Sequence, residues 1–200
     1  VQDVFARNNK EAIWQLQPVV KNYPLEADIF VVQQAVSASS FLLSAFEEED
    51  KRKQAWLSSG AIRYPFKYHA TSTGGIMTQY LVVLRLTEQY LVRAEARAQL
   101  GKQEEAMTDL NLVRSRAGLE PINTNSRPKL VTAIFKERQT EFFAEWGHRW
   151  LDLKRSKNVN AVMATAGPQK GGVWKAYKQW YPLLASDLVL NPNLKQNEGY

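Results

Sequence analysis

Two glycines bound the most regular stretch of this chain. Across residues 77–100, Leu81, Leu84, Leu91, Ala94 and Ala98 fall at the spacing of one helix face, and Gly101 ends the pattern. A second helix is predicted over residues 103–117, with Ala106, Leu110 and Val113 on one face and Gly118 in the left-handed position that closes many helices. Helices joined by so short a turn fold back on each other, and Ala94, Ala98 and Ala106 let their backbones approach closely. From Leu84 to Ala117 the unit is 34 residues long, the period of a tetratricopeptide-type repeat. The Trp and terminal Pro positions of the usual repeat are absent.

The rest of the chain is arranged around this hairpin. Ala12, Trp14 and Leu16 alternate with other residues ahead of Pro18, which predicts a short strand or extended segment. Helices are expected over residues 39–46 and 50–57, and the aromatic-rich stretch 61–70, with Pro65 inside it, reads as extended chain. Thr71, Ser72, Thr73, Gly74 and Gly75 read as a loop. Pro128 suits the first turn of a helix running to Trp146; Gly147 breaks it, and a further helical stretch covers residues 149–155. Residues 167–172 read as another loop and residues 191–200 as surface turns. The expected fold is mainly α: tetratricopeptide-like hairpins over residues 76–156, an irregular, loop-rich region over 1–75 with a few short strands, and a loop-rich C-terminal segment over 157–200.

Composition narrows the chemistry. The 200 residues include no cysteine, which removes disulfide scaffolds, thiolate zinc sites and a cysteine nucleophile together. No apolar run approaches the roughly 18 residues of a membrane-spanning helix. The net charge is +6 and is unevenly placed: residues 149–200 hold 8 basic and 3 acidic side chains, whereas the rest is nearly balanced. Lys154, Arg155, Lys157, Lys170, Lys175, Lys178 and Lys195 are scattered among apolar and turn residues, so this excess reads as a solvated basic surface rather than a nucleic-acid site.

Three glutamates deserve weighing as catalysts. Glu137, Glu141 and Glu145 recur at i, i+4 on the predicted helix, about 6 Å apart, a separation close to that of a retaining glycosidase's carboxylate pair. A general acid needs a carboxyl pushed upward by its setting. Arg138, Arg149 and Arg155 are instead near in sequence, and Arg114 and Arg116 are within reach from the neighbouring helix, so a structural ion-pair network is the stronger reading. His69 and His148 lack partners at metal-ligand spacing, no Gly-rich phosphate motif is present and no Ser sits in a nucleophile elbow, so no metal, cofactor or catalytic residue is assigned. Trp174, Tyr177 and Trp180, at i, i+3, i+6 after a Gly-rich loop, are predicted to share one face of a helical turn and are the candidate ligand contacts. Trp14, Trp56, Trp146 and Trp150 lie in amphipathic stretches and read as core.

Several runs then resemble one family. Residues 84–96, Leu110 to Leu119, Glu137-Arg138-Gln139-Thr140-Glu141-Phe142, residues 146–155, and the closing Asn191-Pro192-Asn193-Leu194 with Gln196-Asn197 and Gly199-Tyr200 are similar to the C-terminal part of the SusD/RagB family. Asn9 to Leu16, Glu49-Asp50-Lys51-Arg52 and Tyr64-Pro65-Phe66-Lys67-Tyr68 fit the same pattern. One departure is Tyr181-Pro182-Leu183-Leu184, where the family commonly has Tyr-Pro-Ile-Pro, and a looser turn is expected there.

The resemblance implies the C-terminal portion of a longer outer-membrane lipoprotein at the cell surface, with its lipid anchor on an N-terminal region outside this sequence. Such a protein captures glycans or related oligomers without catalysis and passes them to a SusC-type TonB-dependent transporter; no nucleic acid is involved. It also implies an architectural role for Arg85, Glu88, Arg93, Glu95, Arg114, Glu137, Arg138, Glu141, Arg149 and Asp152, tying helix pairs together through charge-assisted hydrogen bonds. A tetratricopeptide-type scaffold for a protein or peptide shares the hairpin and is the alternative reading.

Overall fold

The computed structural model describes residues 1–71 and 74–200. Ser72 and Thr73 of the predicted 71–75 loop therefore lie outside the described residues. Two compact units are present, Val1–His148 and Arg149–Tyr200.

In the first unit a two-stranded antiparallel ribbon pairs β1 (Ala12–Leu16) with β2 (Leu81–Arg85). Among the described residues between them are α1 (Leu25–Ala27), continued by a π-helical turn (Asp28–Val32), α2 (Ser40–Leu43) and α3 (Lys51–Ala55). The Ser39 hydroxyl caps α2 by accepting from Leu42 N, and the Asp50 carboxylate caps α3 by accepting from Arg52 N. The hairpin is formed by α4 (Leu86–Gln99) and α5 (Gln103–Ala117), and α6 (Arg127–Glu141) packs against it. Ala94, Ala98 and Ala106 are all fully buried between α4 and α5, with Leu91, Leu110, Leu130 and Ile134 beside them. Gly118 closes α5 at φ +80°.

Three expectations need correction here. Residues 81–85 form a strand, not the first turns of a long helix. Two adjacent β-branched valines favour extended chain, and a partner is available: Leu84 stands opposite Trp14, while Val82 and Arg85 are buried. Helix α6 stops at Glu141 instead of Trp146, because Ala144, Trp146 and Gly147 all adopt positive φ. Glu145 is therefore in a turn beyond the helix. Finally, Trp14 and Trp146 are 52% and 51% exposed and are not core; Trp146 spends its indole N–H on the Val82 carbonyl. Trp56 is buried with Phe5, Phe46, Tyr68 and Phe143 in a second core beneath the irregular region.

The second unit contains most of α7 (His148–Arg155), α8 (Val159–Gln169), a 3-10 turn (Ala176–Gln179) and α9 (Ala185–Leu190). Gly167, Pro168 and Gln169, expected in a loop, form the last turn of α8, whose closing carbonyls are taken up by the N–H groups of Lys170, Gly171 and Gly172.

Candidate functional site

The strongest concentration of charge is buried in the first unit and centres on Glu141, which is 0% exposed. Its Oε2 accepts from Arg52 Nη1 at 2.8 Å, and Oε1 accepts from Arg85 Nη1 and Arg116 Nη2. Its main-chain carbonyl accepts from Lys67 Nζ at 2.7 Å and Arg85 Nη2 at 3.0 Å. Arg52 also forms a bidentate pair with Asp50 and donates to Glu137 at 2.6 Å. Arg114 bridges Glu47 and Glu137, and Arg116 reaches Glu11. Glu145 re-enters from its turn to meet Arg85 at 2.9 Å and Lys67.

The electrostatics follow from this crowding. Burial opposes ionisation of Glu141, yet Arg85, Arg116 and Arg52 outweigh it and hold the carboxyl well below the usual carboxylate range. Glu145 is lowered against the same opposition by Arg85 and Lys67. Burial pushes Glu137 upward, as a general acid would require, with Arg52 pulling back. Its side chain is only 3% exposed and held by two arginines, so a substrate cannot reach it. Burial draws Lys67 down to about 8 against the pull of Glu145; its ammonium lies 4.1 Å from the Phe143 ring centre and 4.7 Å from that of Trp56.

Of the residues expected in this network, Arg85, Arg114, Glu137 and Glu141 meet. Arg93 instead joins α4 to α5 by a bidentate pair with Asp109, which Arg97 also contacts. Glu88 stands 3.7 Å from His148 Nδ1, Arg138 packs on the Phe142 ring, and Glu95 is half-buried on α4. In the second unit Asp152 accepts from Arg155 at 2.8 Å, and burial lowers Arg149. Asp50, Arg52 and Lys67 were missed as members. Asp50 and Arg52 stand in a charged run and Lys67 in the aromatic-rich stretch 61–70, and the partners of Arg52 and Lys67 on the glutamate helix and its following turn lie 74 to 89 residues away.

An accessible groove of about 470 Å³ lies in the second unit, lined by Ala176, Tyr177, Gln179, Trp180, Asn197 and Glu198; two open clefts of about 570 Å³ lie in the first unit, around Gln2, Asp3, Gln54 and Ala55. The aromatic triplet does not share one face. Trp174 precedes the 3-10 turn, packs edge-on to Trp150 at 6.1 Å and donates its indole N–H to Asn160. Tyr177 and Trp180 do line the groove, and Trp180 is 54% exposed with Lys154 Nζ 5.0 Å over its ring. The last five residues brace them. Gln196 exchanges two hydrogen bonds with the Leu183 backbone, so the 181–184 turn is held despite its departure from the family's sequence. Asn197 donates to the Tyr181 carbonyl, Tyr200 donates to the Trp180 carbonyl, and the Tyr200 ring meets Tyr177 edge-on at 5.0 Å. Gly199, at φ +94°, lies flat on Tyr177: a Cβ there would sit 2.4 Å from the ring.

The SusD family model matches residues 48–200. The chain belongs to the SusD family. The matched region of this SusD-family chain includes the Asp50-Arg52 pair, the hairpin, the glutamate helix and the whole groove. Among curated relatives, the SusD-like protein P38 of Formosa agariphila is 32% identical over 144 residues, 67% of this chain and 27% of that protein. The starch-binding protein SusD of Bacteroides thetaiotaomicron is 35% identical over 124 residues, 59% of this chain and 21% of that protein. The chain thus spans about a quarter of the length of these relatives. Surface glycan-binding protein A from Bacteroides uniformis is 27% identical with a TM-score of 0.64, covering 79% of this chain and 40% of that one. A SusD superfamily structure from Bacteroides vulgatus, 16% identical, shares the fold with a TM-score of 0.74 over 97% of this chain and 52% of its own.

Proposed function

We propose that this chain is the C-terminal part of a glycan-binding protein of the outer cell surface, which holds oligosaccharides for delivery to a SusC-type TonB-dependent transporter. The observation that carries the reading is family membership together with relatives that are named starch-binding and surface glycan-binding proteins. The protein acts by binding rather than catalysis: Glu137, Glu141 and Glu145, the glutamates at a glycosidase-like spacing, sit in buried salt bridges out of a substrate's reach. Tyr177 and Trp180 are the proposed ligand contacts, since a sugar ring stacks on an exposed aromatic face while side-chain amides and carboxylates pair with its hydroxyls. Trp174 is proposed to support the site from its place against Trp150.

Affinity electrophoresis of the intact protein through gels containing different polysaccharides tests this. Retardation by at least one glycan is expected, and Trp180→Ala should remove most of it, a loss of about tenfold or more in affinity. No retardation by any glycan would end the sugar assignment. Transporter delivery has its own measurement, co-purification of an outer-membrane β-barrel with the intact protein from native membranes.

A further inference from the structure

The charge of the second unit and the charge of its groove have opposite signs. Residues 149–200 carry 8 basic and 3 acidic side chains, which on its own would suggest an anionic ligand. None of those basic residues lines the groove, whose one charged lining residue is Glu198. Lys178 donates to the Val173 carbonyl at 2.6 Å and Arg155 pairs with Asp152 at 2.7 Å; Lys154 is not a lining residue, and its ammonium lies 5.0 Å over one face of the Trp180 ring. Glu198 itself has no hydrogen-bond or ion-pair partner among the described residues, and the Gln179 side chain likewise has none. Asn197 donates to Tyr181, which leaves its side-chain oxygen facing no such commitment.

We infer that the Tyr177–Trp180 groove takes a neutral, hydroxyl-rich saccharide, with Glu198 as the acceptor that selects it against acidic sugars. This rests on the glycan-binding reading above and names its ligand class. The chemistry is a ring flanked by acceptors: a carboxylate accepts from one or two sugar hydroxyls through charge-assisted bonds, and the Gln179 amide supplies both a donor and an acceptor. A uronate or sulfate ester placed there would face Glu198, the one charged lining residue; Lys154 is held against the Trp180 ring, and the other lysines, none of which lines the groove, attract it only through salt-screened water. The basic excess therefore belongs to the outer surface of this unit and does not set the ligand. Because Asn197 and Glu198 come from the same five-residue end that braces Tyr177 and Trp180, selection and ring placement are built by one short piece of chain.

The test uses the intact protein in affinity electrophoresis against neutral polysaccharides (soluble starch, xyloglucan, galactomannan, laminarin) and acidic ones (polygalacturonate, alginate, chondroitin sulfate) at physiological salt. Retardation by at least one neutral glycan and by none of the acidic ones is expected. Glu198→Ala should then weaken that binding about tenfold or more, and Glu198→Lys should abolish it, with the circular dichroism of both variants unchanged. Preference for an acidic glycan, or neutral-glycan affinity within about twofold of the parent in Glu198→Ala, overturns this inference and leaves the glycan-binding reading standing. Absence of binding to every glycan overturns both.

Discussion

Glu141 carries more of this structure than its single carboxylate suggests. Three arginines and a lysine converge on its side chain and carbonyl; Arg52, Arg85 and Lys67 are buried with it, and Arg116 reaches in from a partly exposed position. Burying such ions is costly, and the cost is offset only while each has its partners. Glu141→Gln keeps the shape but leaves Arg52, Arg85 and Arg116 short of a counter-charge. A loss of about 3 to 5 kcal/mol is expected, read as a lower urea midpoint with a folded far-UV spectrum at zero denaturant. Lys67 gives the cluster a signature in pH. Its native value of about 8 lies below its ordinary 10.5, so the unfolded chain holds that proton over a range where the folded protein has released it. Stability from this group therefore rises with pH between about 8 and 10.5 and is lost again as pH falls through 8. Urea midpoints across that window should climb in the parent and stay flatter in Lys67→Met.

At the scale of elements, the hairpin was readable because its reasons are local. The spacing of Leu91, Ala94 and Ala98, the stop at Gly101 and the left-handed Gly118 act within a few residues of one another. Gly118 shows how strictly: its φ of +80° disfavours any side chain, and a Cβ would lie 2.8 Å from Lys51 Cε. Gly118→Ala should cost about 1 to 2 kcal/mol, measurable as a fall in thermal midpoint. Elements whose reasons are distant were misread. Leu81 to Arg85 fits a helical face in isolation and becomes a strand because Ala12 to Leu16 pairs with it. The helix of glutamates was placed correctly at its start, where Ser126 caps it, and overrun at its end, where positive φ values carry no periodic signal. In the groove, Tyr177 and Trp180 were visible as aromatics. Asn197, Gly199 and Tyr200 are legible as part of a family-like, turn-rich ending but not as braces of the groove, because that role depends on contacts made 16 to 22 residues back in the chain.

At the scale of the molecule, mainly helical character and family membership follow from features spread along the sequence, and both hold in the structure. The organisation of the first 75 residues does not, since few of them have regular spacing to read. They are held by Glu11, Glu47, Arg52 and Lys67, each bonded to a partner far along the chain. This has a consequence for the order in which the protein assembles. The α4–α5 hairpin closes over a turn of a few residues and forms early, whereas Arg52 finds Glu141 only after 89 residues of separation have been bridged. Arg114 and Arg116 meet Glu137 and Glu141 across only 23 and 25 residues, so among the partners of these two glutamates it is Arg52 and Lys67 that are the distant ones. Contact separation alone therefore makes the docking of Arg52 and Lys67 the costliest loop closure that the buried glutamates of this helix make.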